Sequence, residues 1–201
     1  MNRVLSIIRT AEFIVVACCV MAAAVGFSGS SDSAALTIKV ARLAFTPSVL
    51  TVGQGSTVTW SFQDDARPST TSRQLFWSSG RLPRGQLYPV DFPDAGDFNY
   101  NSLPHPKMKG SVHVPMRATG SPKLGWTISW TSRTSTPTTR RYDVQELAPG
   151  GTWTAFRTNS ADRRVIFKPE EHGTYEFRAR TTNVPRKVHS AWSSTLSVQI
   201  S

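Results

Sequence analysis

The stretch Phe92–Gly110, FPDAGDFNYNSLPHPKMKG, is the part of this 201-residue chain that most clearly decides a fold. Its segment Asp97–Asn101 alternates polar and apolar residues, as a half-buried β-strand does. A proline-containing loop follows, and Gly110 opens another alternating run. The pattern predicts two strands on either side of a loop that carries His105 and Met108.

Short strands separated by turn residues continue through the rest of the chain from Leu36 onward, and no helical periodicity of any length is present. This spacing predicts an all-β protein made of two consecutive antiparallel β-sandwiches. We expect the first to span residues 34–115 and the second residues 116–201, each of ordinary size for a small sandwich. Because almost no linker separates them, the two are expected to pack against each other.

The N-terminal residues have the features of a secretory signal peptide. Arg3 and Arg9 precede an uncharged run, Phe13–Phe27, after which small polar residues follow. We therefore assign residues 1–33 to a signal peptide and expect the protein to be secreted, with no membrane span in the mature chain. Two alternatives stay open: an uncleaved segment that anchors the protein in a membrane, and a lipoprotein cleaved before Cys18.

Cysteine content and charge limit the function. The two cysteines, Cys18 and Cys19, both lie in the predicted signal peptide, so the mature chain has no thiol and no disulfide. The formal net charge is +10, and residues 116–201 contribute most of it, with 13 Lys and Arg against six Asp and Glu. We expect an anionic cell-envelope component or an extracellular protein as partner. The positive charges are scattered rather than clustered, which argues against nucleic acid, and the oligomeric state is left open.

The first predicted sandwich resembles the cupredoxins of the plastocyanin and azurin type. The resemblance rests on Ala44–Pro47, on Val58–Trp60, and above all on the ending His105–Gly110, which reads His-Pro-x-Met-x-Gly. It implies a Greek-key β-sandwich and a copper site made of two histidines, one cysteine and usually a methionine. Two imidazoles, a thiolate and a weak thioether suit copper in both oxidation states.

The copper site implied by the resemblance is degenerate in this chain. Ser102 stands where the cysteine would be, and Pro68 or Ser69 stands where the first histidine would be, while His105 and Met108 keep their places. A protonated hydroxyl does not replace a soft thiolate, so we expect no metal site and no cofactor. The alternative is a residual copper-binding protein or electron carrier that uses His105 and Met108. Otherwise His105 is expected to close its loop by hydrogen bonding, and Met108 to pack in the core.

The second predicted sandwich resembles a fibronectin type III module. Trp130 and Tyr142 correspond to core residues of that family, and Tyr175 to its tyrosine-corner position, whose hydroxyl bonds to the backbone of the preceding loop. The order of these motifs carries the resemblance, which covers almost all of residues 116–201.

One strand of this second sandwich has a charged face. Alternation places Arg178 and Arg180 on the same side of the strand, and Trp192 resembles the tryptophan that stacks on such arginines in related modules. We expect a structural ladder here rather than a ligand patch. His113, on the last strand of the first sandwich, is expected to be an exposed strand residue.

The chain shows no pattern that predicts catalysis. Its adjacent acid pairs, Asp64-Asp65 and Glu170-Glu171, fall in predicted turns or loops, and no serine or threonine lies in a nucleophile-elbow motif. We therefore expect no catalytic residues and no enzymatic activity.

Overall fold

The computed structural model describes residues 36–169 and 171–201, and its regular structure is almost entirely β-strand. Within these residues a single 3₁₀ turn, Val184–Arg186, is the only helical element. The expected all-β fold is therefore confirmed. The predicted signal peptide, residues 1–33, lies outside the described part. Over the described residues, no helix has the length and apolar character needed to cross a bilayer.

Eight strands form two four-stranded sheets in the first half of the chain. They are β1 (Leu36–Ala41), β2 (Ala44–Thr46), β3 (Val49–Thr51), β4 (Ser56–Phe62), β5 (Thr71–Ser72), β6 (Leu87–Phe92), β7 (Gly96–Asn101) and β8 (Lys109–Val114). One sheet has the order β2-β1-β4-β6, and the other β3-β8-β7-β5. Alternation along β4 and β7 explains which residues are buried between them, because every second side chain of a strand points to the same face.

The core of this first sandwich is strongly aromatic. Trp60 of β4 and Tyr100 of β7 are fully buried, and their rings meet edge to face at a centroid distance of 5.3 Å. Trp77, Phe92 and Phe98 belong to the same core. Large buried aromatic side chains supply most of the burial energy of a small core, so truncating one to alanine typically costs about 3–5 kcal/mol.

Two strand pairs depart from the antiparallel arrangement that the sequence predicts. β1 runs parallel to β4, and β3 runs parallel to β8. The chain leaves the first sheet after β2, contributes β3 to the second sheet, and returns to the first with β4. A strand reached by such a crossover enters beside its neighbour in the same direction, whereas a hairpin would reverse it.

Eight further strands form a three-stranded and a five-stranded sheet in the second half. They are β9 (Arg117–Ser121), β10 (Gly125–Ser129), β11 (Arg140–Leu147), β12 (Thr154–Ser160), β13 (Arg164–Phe167), β14 (Gly173–Asn183), β15 (Val188–His189) and β16 (Leu196–Ile200). The smaller sheet has the order β13-β10-β9. The larger has the order β12-β11-β14-β15, with β16 also paired to β14.

The core between these two sheets contains the residues expected from the sequence. Trp130 and Tyr142 are fully buried in it. The Tyr175 hydroxyl donates a hydrogen bond of 3.2 Å to the carbonyl of Glu171, so the expected bond to the preceding loop is confirmed. This bond fixes the path of the chain into β14, the long central strand of the larger sheet.

The two halves are in direct contact, and all described residues belong to one compact unit. Ala95, which lies in sequence between β6 and β7, is fully buried in the core of the second half. Its amide donates to the carbonyl of Trp130 at 2.8 Å, and its carbonyl accepts from the Thr181 hydroxyl at 2.7 Å. The segment between β6 and β7 is therefore part of both sandwiches.

Candidate functional site

The loop between β7 and β8 is closed by hydrogen bonds within its own backbone. The Ser102 amide donates to the carbonyl of Met108 at 3.1 Å, and the Met108 amide donates to the carbonyl of His105 at 2.9 Å. These bonds hold Ser102, His105 and Met108 in one short loop at the end of the first sandwich. This is the loop that the sequence singled out.

Two buried serines form a reciprocal contact at this end of the sandwich, which we call the serine clamp. The backbone amide of Ser69 donates to the Ser102 hydroxyl oxygen at 3.1 Å, and the amide of Leu103 donates to the Ser69 hydroxyl oxygen at 2.9 Å. Both serines are fully buried. The Ser102 hydroxyl therefore satisfies the amide of Ser69, which would otherwise cost about 1–3 kcal/mol, and the Ser69 hydroxyl satisfies the amide of Leu103 next to Ser102.

The serine clamp distinguishes between the two residues proposed for the first histidine position. Ser69 meets Ser102, whereas Pro68 lies one residue earlier and offers its carbonyl to the amide of Leu82 at 3.0 Å. Pro68 lacks an amide hydrogen, so it cannot take part in the clamp. Ser69 is the residue opposite Ser102.

His105 and Met108 differ in exposure. His105 is half-buried, and its Nε2–H donates to the carbonyl of Ala66 at 3.3 Å. Met108 is 3% exposed and belongs to the core of the first sandwich. The expected packing of Met108 is confirmed, whereas the His105 side chain does not close its own loop but bonds to Ala66 in the loop between β4 and β5.

These residues do not fit a type 1 copper ion. Such a site needs a thiolate and two imidazoles, and here the donors are one imidazole, one core thioether and two hydroxyls that already bond to backbone amides. Across the described residues, no group of three or more His, Cys, Asp or Glu side chains is placed to hold a metal ion.

On the larger sheet of the second half, arginine and tryptophan side chains stack in alternation, and we call this the ladder. The Arg178 guanidinium lies 4.3 Å from the ring centroid of Trp153 and 5.1 Å from that of Trp192, and Arg180 lies 4.8 Å from Trp192. The structure thus brings Arg178, Arg180 and Trp192 together and adds Trp153, which the sequence did not connect to them.

Both arginines of the ladder also have hydrogen-bond partners. Arg178 Nε donates to the Gln145 side-chain oxygen at 2.8 Å, and Arg180 Nε donates to an Asp143 carboxylate oxygen at 2.9 Å. Guanidinium groups held in this way cover the outer face of the sheet and stabilise it, because each stacked pair contributes about 0.5–1 kcal/mol at exposed sites.

Asp94, in the segment between β6 and β7, is a buried carboxylate that joins the two halves. It is 4% exposed and accepts hydrogen bonds from the Thr131 hydroxyl at 2.7 Å and from the Tyr142 hydroxyl at 2.8 Å. Arg133 donates to it through Nε at 2.9 Å and through Nη2 at 3.1 Å. All three donors come from the second half, so this carboxylate ties one sandwich to the other.

The surroundings of Asp94 shift the pKa values of its neighbours. Burial raises the pKa of Tyr142 to about 12, and the negative charge of Asp94 acts in the same direction. Burial opposes the charged form of Arg133, but the hydrogen bonds and charge of Asp94 outweigh it, so the pKa of Arg133 is raised. Both shifts favour protonated donors around the carboxylate.

His113 is not the exposed strand residue that the sequence predicts. Its Nε2 lies 3.0 Å from the Ser111 hydroxyl, and its Nδ1 lies 3.2 Å from an Asp97 carboxylate oxygen. Asp97 lies opposite His113 across the β7–β8 pair, and burial raises the pKa of Asp97 while the charge of His113 lowers it. Ser111 and His113 are therefore hydrogen-bonded, His113 and Asp97 form an ion-pair contact, and the three residues lie in a row across the β7–β8 pair.

The serine, histidine and aspartate of this row have the identities of a hydrolase triad but lie on the surface of a continuous sheet. The backbone groups of β7 and β8 pair with each other along the row. A catalytic nucleophile works with backbone amides that are free to bind an oxyanion, whereas the amides along this row pair β7 with β8, so the contacts of the row link the two strands.

Solved structures similar to the chain include amicyanins and a copper-containing nitrite reductase. A methionine-to-alanine variant of amicyanin in its Cu(I) form is 28% identical, with 40% of this chain and 82% of that chain covered and a TM-score of 0.37. A second such Cu(I) variant is 29% identical, with 40% and 81% covered and a TM-score of 0.37. The nitrite reductase, from Thermus scotoductus SA-01, is 24% identical, with 40% and 22% covered and a TM-score of 0.38. No family model and no curated protein matches the chain.

Proposed function

We propose that this protein is secreted and acts by binding a partner, without copper redox chemistry and without catalysis. In this proposal the first half is a cupredoxin-like domain that has lost its copper site, and the second half is a fibronectin type III domain. The serine clamp is the observation that carries the proposal. At the two positions that the cupredoxin resemblance assigns to a thiolate and an imidazole, it has hydroxyls that accept hydrogen bonds from backbone amides, which supports the loss of copper.

Sheet order supports the fibronectin type III part of the proposal. A three-stranded sheet β13-β10-β9 faces a larger sheet in which β11 and β14 are central neighbours. Aromatic residues from both sheets fill the space between them, and Tyr175 bonds back to its own loop. Domains of this architecture commonly serve as recognition modules. Because a fold does not by itself determine a function, the support for a binding role comes from the charged surface of the second half.

The charge of the second half supports an anionic partner. Residues 116–201 carry 13 Lys and Arg against six Asp and Glu, and two of these acids, Asp143 and Asp162, already pair with arginines of the same half. The uncompensated charge is therefore positive and faces solvent. It would attract an anionic cell-envelope component or an acidic extracellular protein.

A copper titration tests the redox part of the proposal against its alternative, residual copper binding through His105 and Met108. Calorimetry and absorbance are followed while Cu(II), and under reducing conditions Cu(I), is added to the protein and to its His105→Ala variant. We expect no stoichiometric binding in either and no blue colour. Micromolar or tighter binding that disappears in His105→Ala would establish the alternative.

The binding part is tested separately with salt. Retention of the protein on an anionic matrix should fall steeply as ionic strength rises, because exposed charges are screened within about 8 Å at physiological salt. Retention that does not change with salt would contradict an electrostatic partner contact.

A further inference from the structure

The outer face of the three-stranded sheet β13-β10-β9 carries a line of hydroxyl groups with one arginine on each side of it. Arg117 of β9 and Arg164 of β13 both lie in register with Ser129 of the central strand β10. One step along the sheet, Thr119 and Thr127 lie in register with each other. The inward-facing residues of β10 alternate with these positions and pack in the core, so the hydroxyls point outward.

A surface groove follows this face, and we call it the arginine groove. It has a volume of about 330 Å³ and extends from Gln54 of the first half to Arg164. A second hollow, of about 430 Å³, continues it along β13 past Thr127 and Ile166. The Gln54 amide donates to the carbonyls of Pro115 and Ser129, so one end of the groove is fixed by the contact between the two halves.

Three of the four arginines of the groove, Arg117, Arg163 and Arg164, have no carboxylate partner among the described residues. No carboxylate is among the described residues that line it, although four of the lining residues are arginines. Arg133 is bonded to Asp94, and Arg163 donates to the carbonyl of Arg133. Arg117 and Arg164 are both exposed. Arg117 and Arg164 stand on the two strands that flank β10, and a surface lined by uncompensated charges of one sign attracts a counter-anion.

The spacing suits an oxyanion with more than two acceptor oxygens. Arg117 and Arg164 are separated by one strand, which places their backbones roughly 10 Å apart, and long side chains from both sides can reach a group above Ser129. Guanidinium donors then approach such a group from two sides, and the Ser129 hydroxyl approaches it from below. A carboxylate is satisfied by a single bidentate arginine, whereas a sulfate or phosphate group accepts from all three directions.

Resting on the proposed binding function, we propose that the arginine groove binds a polysaccharide that carries sulfate or phosphate groups. The described lining of the groove contains hydroxyl and guanidinium groups but no aromatic side chain. Recognition of single-stranded nucleic acid relies on aromatic side chains that stack on bases, so a polysaccharide fits this surface better. Its sugar hydroxyls have partners in Thr119 and Thr127.

Four polymers and two variants test this inference. Binding of the protein to dextran sulfate, dextran phosphate, carboxymethyl dextran of matched charge density and single-stranded DNA is measured by calorimetry at several salt concentrations. The variant is Arg117→Gln with Arg164→Gln. The matched control is Arg186→Gln with Lys187→Gln, which removes the same charge at two exposed residues beside β15. Unfolding midpoints verify that both variants are folded.

We expect the sulfated or the phosphorylated dextran to bind at least about tenfold more tightly than carboxymethyl dextran, and which of the two binds better identifies the group. The groove variant should lose about tenfold or more in affinity, and the control should change less than twofold. Equal losses in both variants would overturn the site but leave the proposed function intact. Equal affinity for the carboxylated polymer, or tighter binding of DNA, would overturn the ligand class. If none of the polymers binds, both this inference and the anionic partner are wrong.

Discussion

Asp94→Ala should destabilise the protein more than any other change of a single acidic side chain between residues 36 and 169. It removes the acceptor of hydrogen bonds from Thr131, Tyr142 and Arg133 at the contact between the two sandwiches. Tyr142 is fully buried, so its orphaned hydroxyl costs about 1–3 kcal/mol, and the Thr131 hydroxyl adds about 1 kcal/mol.

The contribution of Arg133 is smaller than that of a fully buried charge. Its side chain is 30% exposed, so water replaces part of the lost interaction and the penalty stays below the 3–5 kcal/mol typical of a broken buried pair. We therefore expect a total loss of about 3 kcal/mol. For a protein of this size the melting temperature falls by roughly 2–4 °C per kcal/mol, hence by about 6–12 °C.

Guanidinium chloride unfolding followed by tryptophan fluorescence measures this loss, with Asp91→Ala as the matched control. Asp91 lies three residues away and also accepts a hydroxyl hydrogen bond, from Thr57 at 2.6 Å, but it is exposed, so its loss should stay within about 0.5 kcal/mol. A second readout is the pKa of Tyr142, which should fall from about 12 in Asp94→Ala yet stay above 10 because burial remains. Equal stability of the two variants would refute the role given to Asp94.

Three further predictions concern the ladder, the outer row and the contact between the halves. Trp192→Ala should cost about 1–2 kcal/mol in unfolding free energy because two arginines stack on this ring, and Trp153→Ala should cost less because one does; the reverse order would contradict the ladder. Burial raises the pKa of Asp97, so the folded state holds this proton more tightly than the unfolded chain, and stability is lost as pH rises through the raised pKa. Asp97→Asn should remove this decline, which unfolding titrations from about pH 4 upward would measure. An unchanged pH profile would exclude Asp97 as the cause of the decline. Gly96→Ala should destabilise by about 1–3 kcal/mol more than Gly80→Ala, since both have positive φ but only a Cβ at Gly96 would collide with a side chain of the second half; similar losses would show that the contact can relax.

Strand alternation was sufficient to predict the main cores. Val58, Trp60 and Phe62 on β4, like Tyr175 and Phe177 on β14, follow each other at every second position, and all are buried. The period of a strand is a local property, and burial on one face follows from it directly. For the same reason the sequence placed the loop with His105 and Met108 correctly between two strands.

Contacts between distant segments could not be predicted in this way. The sequence around Asp94 has the composition of a turn, and its role as a buried acceptor depends on Thr131, Arg133 and Tyr142, about 40 residues later. The parallel pairs depend on crossovers between sheets, which alternation does not encode. His113 alternates as an exposed residue would, but Asp97 on the neighbouring strand binds it.

The choice between Pro68 and Ser69 also needed the structure. Both precede β5 and are buried, and their positions in sequence differ by one. Only the hydrogen bond from the Ser69 amide to the Ser102 hydroxyl identifies which of them lies opposite Ser102. A one-residue shift is beyond what spacing can resolve in an irregular loop.

Copper binding by a redesigned serine clamp tests most directly the proposal that Ser69 and Ser102 stand at the two cupredoxin ligand positions. The measurement is the visible absorption spectrum, after copper addition, of Ser69→His with Ser102→Cys, compared with the wild type and with Pro68→His plus Ser102→Cys. We predict the intense blue absorption of a copper–thiolate bond in the first variant, a much weaker band in the second, and none in the wild type. Blue colour in the wild type, or a folded first variant that stays colourless while the Pro68 variant turns blue, would contradict the account.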